Sequence, residues 1–464
     1  MLEQTTRRSK EERDLLLFSD VHLGADLKRR VLEAAGSFDA LCQRDHVDRA
    51  LGGLLDHYAQ DPPARGPWRL VLAGDIVDFI GINLSPVDLG ESAPFEPSAK
   101  ETEFGLDPLP ERGAWQMGLV ARRHPRFFER LGAFLADGHE LVLVRGNHDA
   151  AFHWPQVRQS FLEAVLDGAS RAGHRLDARD LAERVRFEDW FYLEPGRIFV
   201  EHGHLHDELC AEPDQSLVEP GRPNRLAEPI STQLLRRFAN RFPSLDWEAA
   251  EKWSMRQALA WAFFVENPLR IALAFLGTIA VVLKPYLWPR KRLPGGASRG
   301  EATVTTPEGL SALVRHAARM TLRGVLRLFY LDRAMTMGGG LMLSASCVTL
   351  AKPWDVKGTA AAGLVLAAWA VDRWMAAGRD IAIAPKLERA AEDIARACAV
   401  PLVVMGHSHV AQDTSLGSVK SRYVNLGAWV GAHRPSPGSA GFVHLIVRGQ
   451  EAELRRWPAP VARG

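Results

Sequence analysis

Short apolar runs, each ended by a cluster of polar residues, punctuate this chain. They are Leu15–Phe18, 70–73, 141–144, 198–200 and Leu402–Met405. Each is too short for a helix and is bounded by Gly, Asp, Asn or His, so each is expected to be a buried strand. Between the first four, apolar residues recur at helical spacing over 38–58, 111–136 and 156–172. Strands alternating with amphipathic helices predict a layered α/β fold from 15 to about 206. The stretch 83–110 is rich in Pro, Ser and Glu and has no period. It is expected to be a long loop beside the site.

The pattern changes at about 207. A Pro- and Gly-containing linker, 212–224, leads into helical spacing over 231–265. Three uncharged apolar stretches come next, 271–283, 334–351 and 358–371. An amphipathic helix is expected over 386–399, and strand signals resume at 402–405, 423–425, 442–447 and 451–456. The chain therefore divides into a charged tail, 1–14, a split catalytic domain, 15–206 and 386–460, and a mostly helical insertion, 207–385. About 180 residues suits an independent unit.

A spanning helix needs about 20 apolar residues, and these stretches reach or miss that length. The first runs into a segment with aromatics and a basic cluster, 284–292, as an interfacial anchor would. Arg315, Arg319, Arg323 and Arg327 form a basic helical stripe suited to an anionic lipid surface. An anionic membrane is thus an expected partner through 268–377, and a dimer through the same apolar insertion is the competing reading. If any segment spans, their number must be even, because both catalytic halves must meet on one side.

Composition narrows this little. The chain has 464 residues, 47% hydrophobic, with a net charge of +1. That charge gives no global sign of nucleic acid. The four cysteines are far apart and form no CxxC pair. This disfavours disulfides and thiolate zinc, and favours a reducing compartment. The charged N-terminus has no apolar core of a secretory signal. The expected location is cytoplasmic, at the inner face of the cytoplasmic membrane, and not secreted.

The chemistry sits at the polar end of each apolar run: Asp20-Val21-His22, Gly74-Asp75-Ile76-Val77-Asp78, Gly146-Asn147-His148-Asp149, His202-Gly203-His204 and Gly406-His407-Ser408-His409. Two divalent ions close together repel unless a carboxylate bridges them. Neutral imidazoles and an amide oxygen then complete the shells. The x-alternation in Asp20/His22 and His407/His409 points both members of each pair to one face.

The ordered set resembles the calcineurin-like metallophosphoesterases over about 15–206 and 401–456. The resemblance implies a four-layer α/β/β/α sandwich, here interrupted by the helical insertion. It implies that Asp20, His22, Asp75 and His409 hold one metal, and Asp75, Asn147, His202 and His407 the other, with Asp75 bridging. His148 would be the acid for the leaving group, oriented by Asp78 or Asp149. Arg145 could contact phosphate, with a strand-end surface role as the alternative. His204 could line the site, while His206 and Asp207 are expected to be structural. The cofactors implied are two divalent ions, manganese first by resemblance to bacterial members; iron and zinc fit the same donors. The expected reaction is hydrolysis of a phosphodiester or pyrophosphate by water activated between the metals.

Phe18-Ser19-Asp20-Val21-His22-Leu23-Gly24 and Tyr423-Val424-Asn425-Leu426-Gly427-Ala428-Trp429 are similar to the branch containing UDP-2,3-diacylglucosamine pyrophosphatases. The implied substrate is a phosphoester, lipid-linked in that branch. The main members of that branch carry Arg where this chain has His148. A membrane-associated scaffold that keeps the fold is the alternative from another class. A nuclease or phosphomonoesterase of the same superfamily is a third. The catalytic half has no basic groove with interleaved aromatics, which argues against a nucleic-acid partner.

Overall fold

The computed structural model describes residues 13–458 apart from 44–46, 62, 213–215, 243, 246–254, 288–319, 330, 351–353, 378–381 and 430–441. Arg315, Arg319 and most of the 284–292 segment lie outside the described residues.

The strands are β1 (Leu15–Phe18), β2 (Arg69–Ala73), β3 (Glu140–Val144), β4 (Val185–Glu188), β5 (Phe191–Glu194) and β6 (Ile198–Glu201), then β7 (Leu402–Met405), β8 (Ala411–Leu416), β9 (Ser421–Leu426), β10 (Phe442–Arg448) and β11 (Glu451–Trp457). They form two mixed sheets, ordered β11-β10-β1-β2-β3-β4 and β5-β6-β7-β9-β8. The fold is mixed α/β. Strands β1 to β4 run parallel, and β10 joins antiparallel to β1. In the second sheet, β6, β7 and β9 run parallel.

Period-2 alternation decides which side chain meets which core. Leu15, Leu17, Val71, Val142 and Val144 of the first sheet share one apolar cluster with Ile198, Val200, Val404 and Val424 of the second. The intervening Leu16, Phe18, Leu70, Leu72, Leu141 and Leu143 face a larger cluster with helices. Those helices include α1 (Val47–Gln60), α2 (Pro110–Arg123), α3 (Pro125–Ala136) and α4 (Pro155–Arg171). On the far face of the second sheet, Phe199, Val403, Met405 and Tyr423 pack on one further helix.

The expected single helix over 111–136 is two helices. Pro125 cannot donate an N–H and restricts His124, which sits at φ −121°, ψ 54° and breaks the run. The expected loop 83–110 holds two short helices, Pro86–Leu89 and Ala99–Phe104. Each starts with a reciprocal capping box, Ser85/Asp88 and Ser98/Glu101.

The 207–385 stretch is mostly helical where described. Its helices include α5 (Ile230–Arg237), α6 (Pro268–Leu287), α7 (Leu331–Leu350) and α8 (Trp354–Ala377), and α9 (Ala384–Cys398) then covers the second sheet. Helices α7 and α8 form a hairpin: a methyl added at Gly340 would meet Ala368 Cβ at 2.4 Å, so small residues set their approach. Arg333 and Asp372 pair between them at 2.6 Å.

Candidate metal centre

The five polar motifs leave the carboxyl ends of β1, β2, β3, β6 and β7 and converge. Their backbone is unusual. Asp20, His22, Asp75, His407 and His409 all have φ between 52° and 67°. Non-glycine residues rarely adopt this left-handed region, and such clusters mark functional sites. The loops lock one another: Asp20 N donates to the Gly74 carbonyl at 3.1 Å and His22 N to the Asp75 carbonyl at 3.0 Å. Glycines give room. A Cβ at Gly146 would lie 2.2 Å from Asp75 Oδ1, and one at Gly406 would lie 2.2 Å from Asp20 Oδ2.

This convergence creates three sets of donor atoms, each within 4.8 Å of one another: Asp20/His22/His409, His22/Asp75/His148 and Asp75/His202/His407. Asp75 belongs to two of them. Its Oδ2 lies 3.8 Å from His22 Nε2 on one side and 3.1 Å from His202 Nε2 on the other. Asn147 Oδ1 lies 3.2 Å from the same His202 nitrogen. His409 Nε2 lies 3.3 Å from Asp20 Oδ1. These His and Asp groups could bind metal ions.

Two observations show that the donors fit divalent cations. First, His22 Nε2 is buried and has no hydrogen-bond partner. A buried nitrogen without a partner is costly, and a cation beside Asp75 would satisfy it. Second, the set is all oxygen and imidazole nitrogen, which suits hard and borderline ions. The second nitrogens are also engaged. His202 Nδ1–H donates to the Ala73 carbonyl at 3.0 Å, so Nε2, which faces Asp75, is the nitrogen that would ligate once a bound ion displaces its proton. His407 Nε2–H donates to Asp207 Oδ2 at 3.1 Å, leaving Nδ1 free to ligate.

Charge is set by this geometry. Burial would raise the Asp75 carboxyl, but His202 and His148 beside it hold it well below the usual carboxylate range. Burial pushes His22 down to about 4, with repulsion from His148 adding. Burial opposes protonation of His148, yet Asp78 and Asp75 raise it to about 9. Burial and then Asp75 push Asp149 up to about 6, against two backbone N–H bonds that favour its anion.

His148 lies at the rim, its side chain 24% exposed. Its Nδ1 is 2.6 Å from Asp78 Oδ1. Asp149 does a different job: it accepts from Ile76 N at 2.8 Å and Gly146 N at 2.5 Å, so it ties the second loop to the third. Of the two carboxylates that could orient His148, Asp78 is the one in contact. Arg145 is buried; its guanidinium meets Glu212 at 3.0 Å and the Asp189 carbonyl at 2.8 Å. A phosphate contact would require Arg145 to exchange one of these. His204 is buried beside His202, 5.5 Å between rings, and 3.5 Å from Glu212.

Sequence reasoning gave Asp207 a structural role and passed over Cys210. With His407 they form a fourth group of donor atoms within 4.8 Å. Asp207 meets a histidine 200 positions away, and no local pattern could signal that. A small cavity of about 60 Å³ lies next to Asn147 and His148, with Phe79, Ile82, Leu106 and Leu226 among its walls and Glu212, Glu228 and Arg236 at its polar side.

No family model and no curated protein matches this chain. Among solved structures it is similar to a phosphopantetheinyl hydrolase (PptH) from Mycobacterium tuberculosis. That likeness has 12% identity, covers 92% of this chain and 93% of the other, and has a TM-score of 0.22. At that level nothing carries over from it to this chain.

Proposed function

We propose that this chain is a metallophosphoesterase: a hydrolase of phosphodiesters or pyrophosphates that holds two divalent ions in an α/β/β/α sandwich. The observation that carries the reading is Asp75, whose Oδ2 lies 3.8 Å from His22 Nε2 and 3.1 Å from His202 Nε2, so that one carboxylate belongs to two donor groups. Asp20, His22, Asp75 and His409 would hold one ion. Asp75, Asn147, His202 and His407 would hold the second. Bound there, the ions would lower the proton affinity of water and neutralise charge on phosphate.

The chain's own residues would do the rest. Asp78 holds Nδ1 of His148, so Nε2 is the nitrogen left to hand a proton to the departing oxygen. Asp149 keeps the Asp75 and Asn147 loops in register. Phe79, Ile82, Leu106 and Leu226 line the small cavity beside His148, where an apolar portion of a substrate next to the phosphate would meet them. A lipid-linked phosphoester is the substrate class that fits, and manganese is the ion to try first.

The test is hydrolysis of bis-p-nitrophenyl phosphate and of a UDP-linked acylated glucosamine by purified protein with manganese. Metal content is measured in parallel, with Asp75→Asn as control. Activity and two ions per chain, both lost in the variant, are expected. A wild-type protein that binds no divalent ion overturns the reading.

A further inference from the structure

The helices of the insertion expose the wrong side chains for water. Helix α9, packed on the second sheet, turns Arg389, Asp393 and Arg396 outward, as a helix on a soluble surface does. Helices α6, α7 and α8 turn out Leu273, Leu276, Met342, Leu343, Leu366 and Trp369 instead. Ahead of α6, Phe264 is 89% exposed. Such faces mark a partner.

Three features select what the partner is. The first is breadth. Leu341, Met342 and Leu343 are consecutive and all exposed, as are Trp369, Ala370 and Val371. At about 100° per residue, three successive side chains sweep roughly 200° of the helix surface. A rigid partner covers one face; a fluid hydrocarbon phase covers that sweep. The second is charge. Among the described residues of 261–287, 320–346 and 359–373, the exposed charged side chains are Arg270, Lys284, Arg323 and Arg373, all basic. Asp372 is buried against Arg333. Cations bordering an apolar surface complement anionic headgroups.

The third is topology. Strand β6 precedes the insertion and β7 comes after it, and the two pair in parallel. Both flanks therefore lie on one side of any bilayer, and a lone crossing is forbidden. Among the described residues, only α6 has the length and mean hydropathy of a span, and Arg270 and Lys284 bound its apolar part. Its uncharged run, 271–283, is roughly 20 Å long as helix, against a hydrocarbon core of about 30 Å.

We propose that α6, α7 and α8 dock into a single leaflet of an anionic bilayer and hold the two sheets at the membrane surface. This stands independently of the hydrolase reading.

The experiment is flotation of the purified full chain with vesicles of phosphatidylcholine alone and of phosphatidylcholine mixed with phosphatidylglycerol. The variant combines Leu276→Gln, Leu343→Gln and Leu366→Gln, all exposed positions. Wild type is expected to float with the anionic vesicles, and the variant to bind about tenfold or more weakly while keeping its far-ultraviolet circular dichroism. Brominated lipids should quench Trp369 fluorescence, read as the difference from Trp369→Phe, most strongly when bromine sits high in the acyl chain. Three results would each overturn the proposal. One is no flotation with either vesicle. Another is strongest quenching from bromine at the bilayer centre. The third is a dimer in solution that the variant converts to monomer, which would assign these faces to a second copy.

Discussion

Asp78 and Asp207 each grip one histidine, and their roles separate in experiment. Asp78 touches His148, which is not a proposed ligand, so Asp78→Asn should lower kcat about a hundredfold with metal content unchanged. Asp207 orients His407, so Asp207→Ala should weaken binding of one ion by about tenfold to a hundredfold, read by calorimetric titration. Away from the site, His444 is buried and its Nε2 meets the Tyr58 hydroxyl at 2.8 Å. Burial, with Arg455 adding, lowers it to about 4 from an ordinary 6.5. The unfolded chain then binds a proton at a pH where the folded chain does not. Stability is full above 6.5 and falls as pH drops from about 6.5 toward 4, by at most roughly 3 kcal/mol. Urea midpoints at pH 7 and pH 5 should differ less in His444→Phe than in wild type. The clustered Asp and His donors were legible in sequence because each motif follows a strand within a few residues. Asp207 read only as structural, because its contact with His407 lies across the fold.

Strand ends bring the site together, so changes to the turns should act through it. Gly146 ends β3 and leaves room for Asp75; Gly146→Ala places a methyl 2.2 Å from Asp75 Oδ1. Expected are a loss of more than about 1 kcal/mol of stability and of at least one bound ion, measured by urea unfolding and elemental analysis. Gly118 is the control. It sits exposed in α2 with nothing within 4 Å of an added methyl, so Gly118→Ala should stabilise by about 0.5–1 kcal/mol. The central strands read plainly because they are apolar on both faces. Strand β8, AQDTSL, is an edge strand with alternating exposure and little apolar character, so periodicity passed over it. The two capping boxes in 83–110 were visible as Ser-x-x-Asp and Ser-x-x-Glu, but their helices are of four and six residues, too short to show a period.

In the whole molecule, both sheets are built from both ends of the described chain. β1 pairs with β10, and β6 with β7. A fragment ending at residue 206 lacks β7, β9, β10, His407 and His409. It should neither fold nor bind metal, which circular dichroism and metal analysis of the purified fragment would check. The exposed apolar helices were foreshadowed by three uncharged stretches, but which side chains face outward depends on how the helices pack. The same strand order sets a timetable for synthesis. At about 5–20 residues per second, roughly 10–40 s separate the emergence of β6 from that of β7. During that interval the nascent chain holds two unfinished sheets, while α6, α7 and α8 leave the ribosome in turn. The apolar hairpin therefore meets water before the two sheets can close.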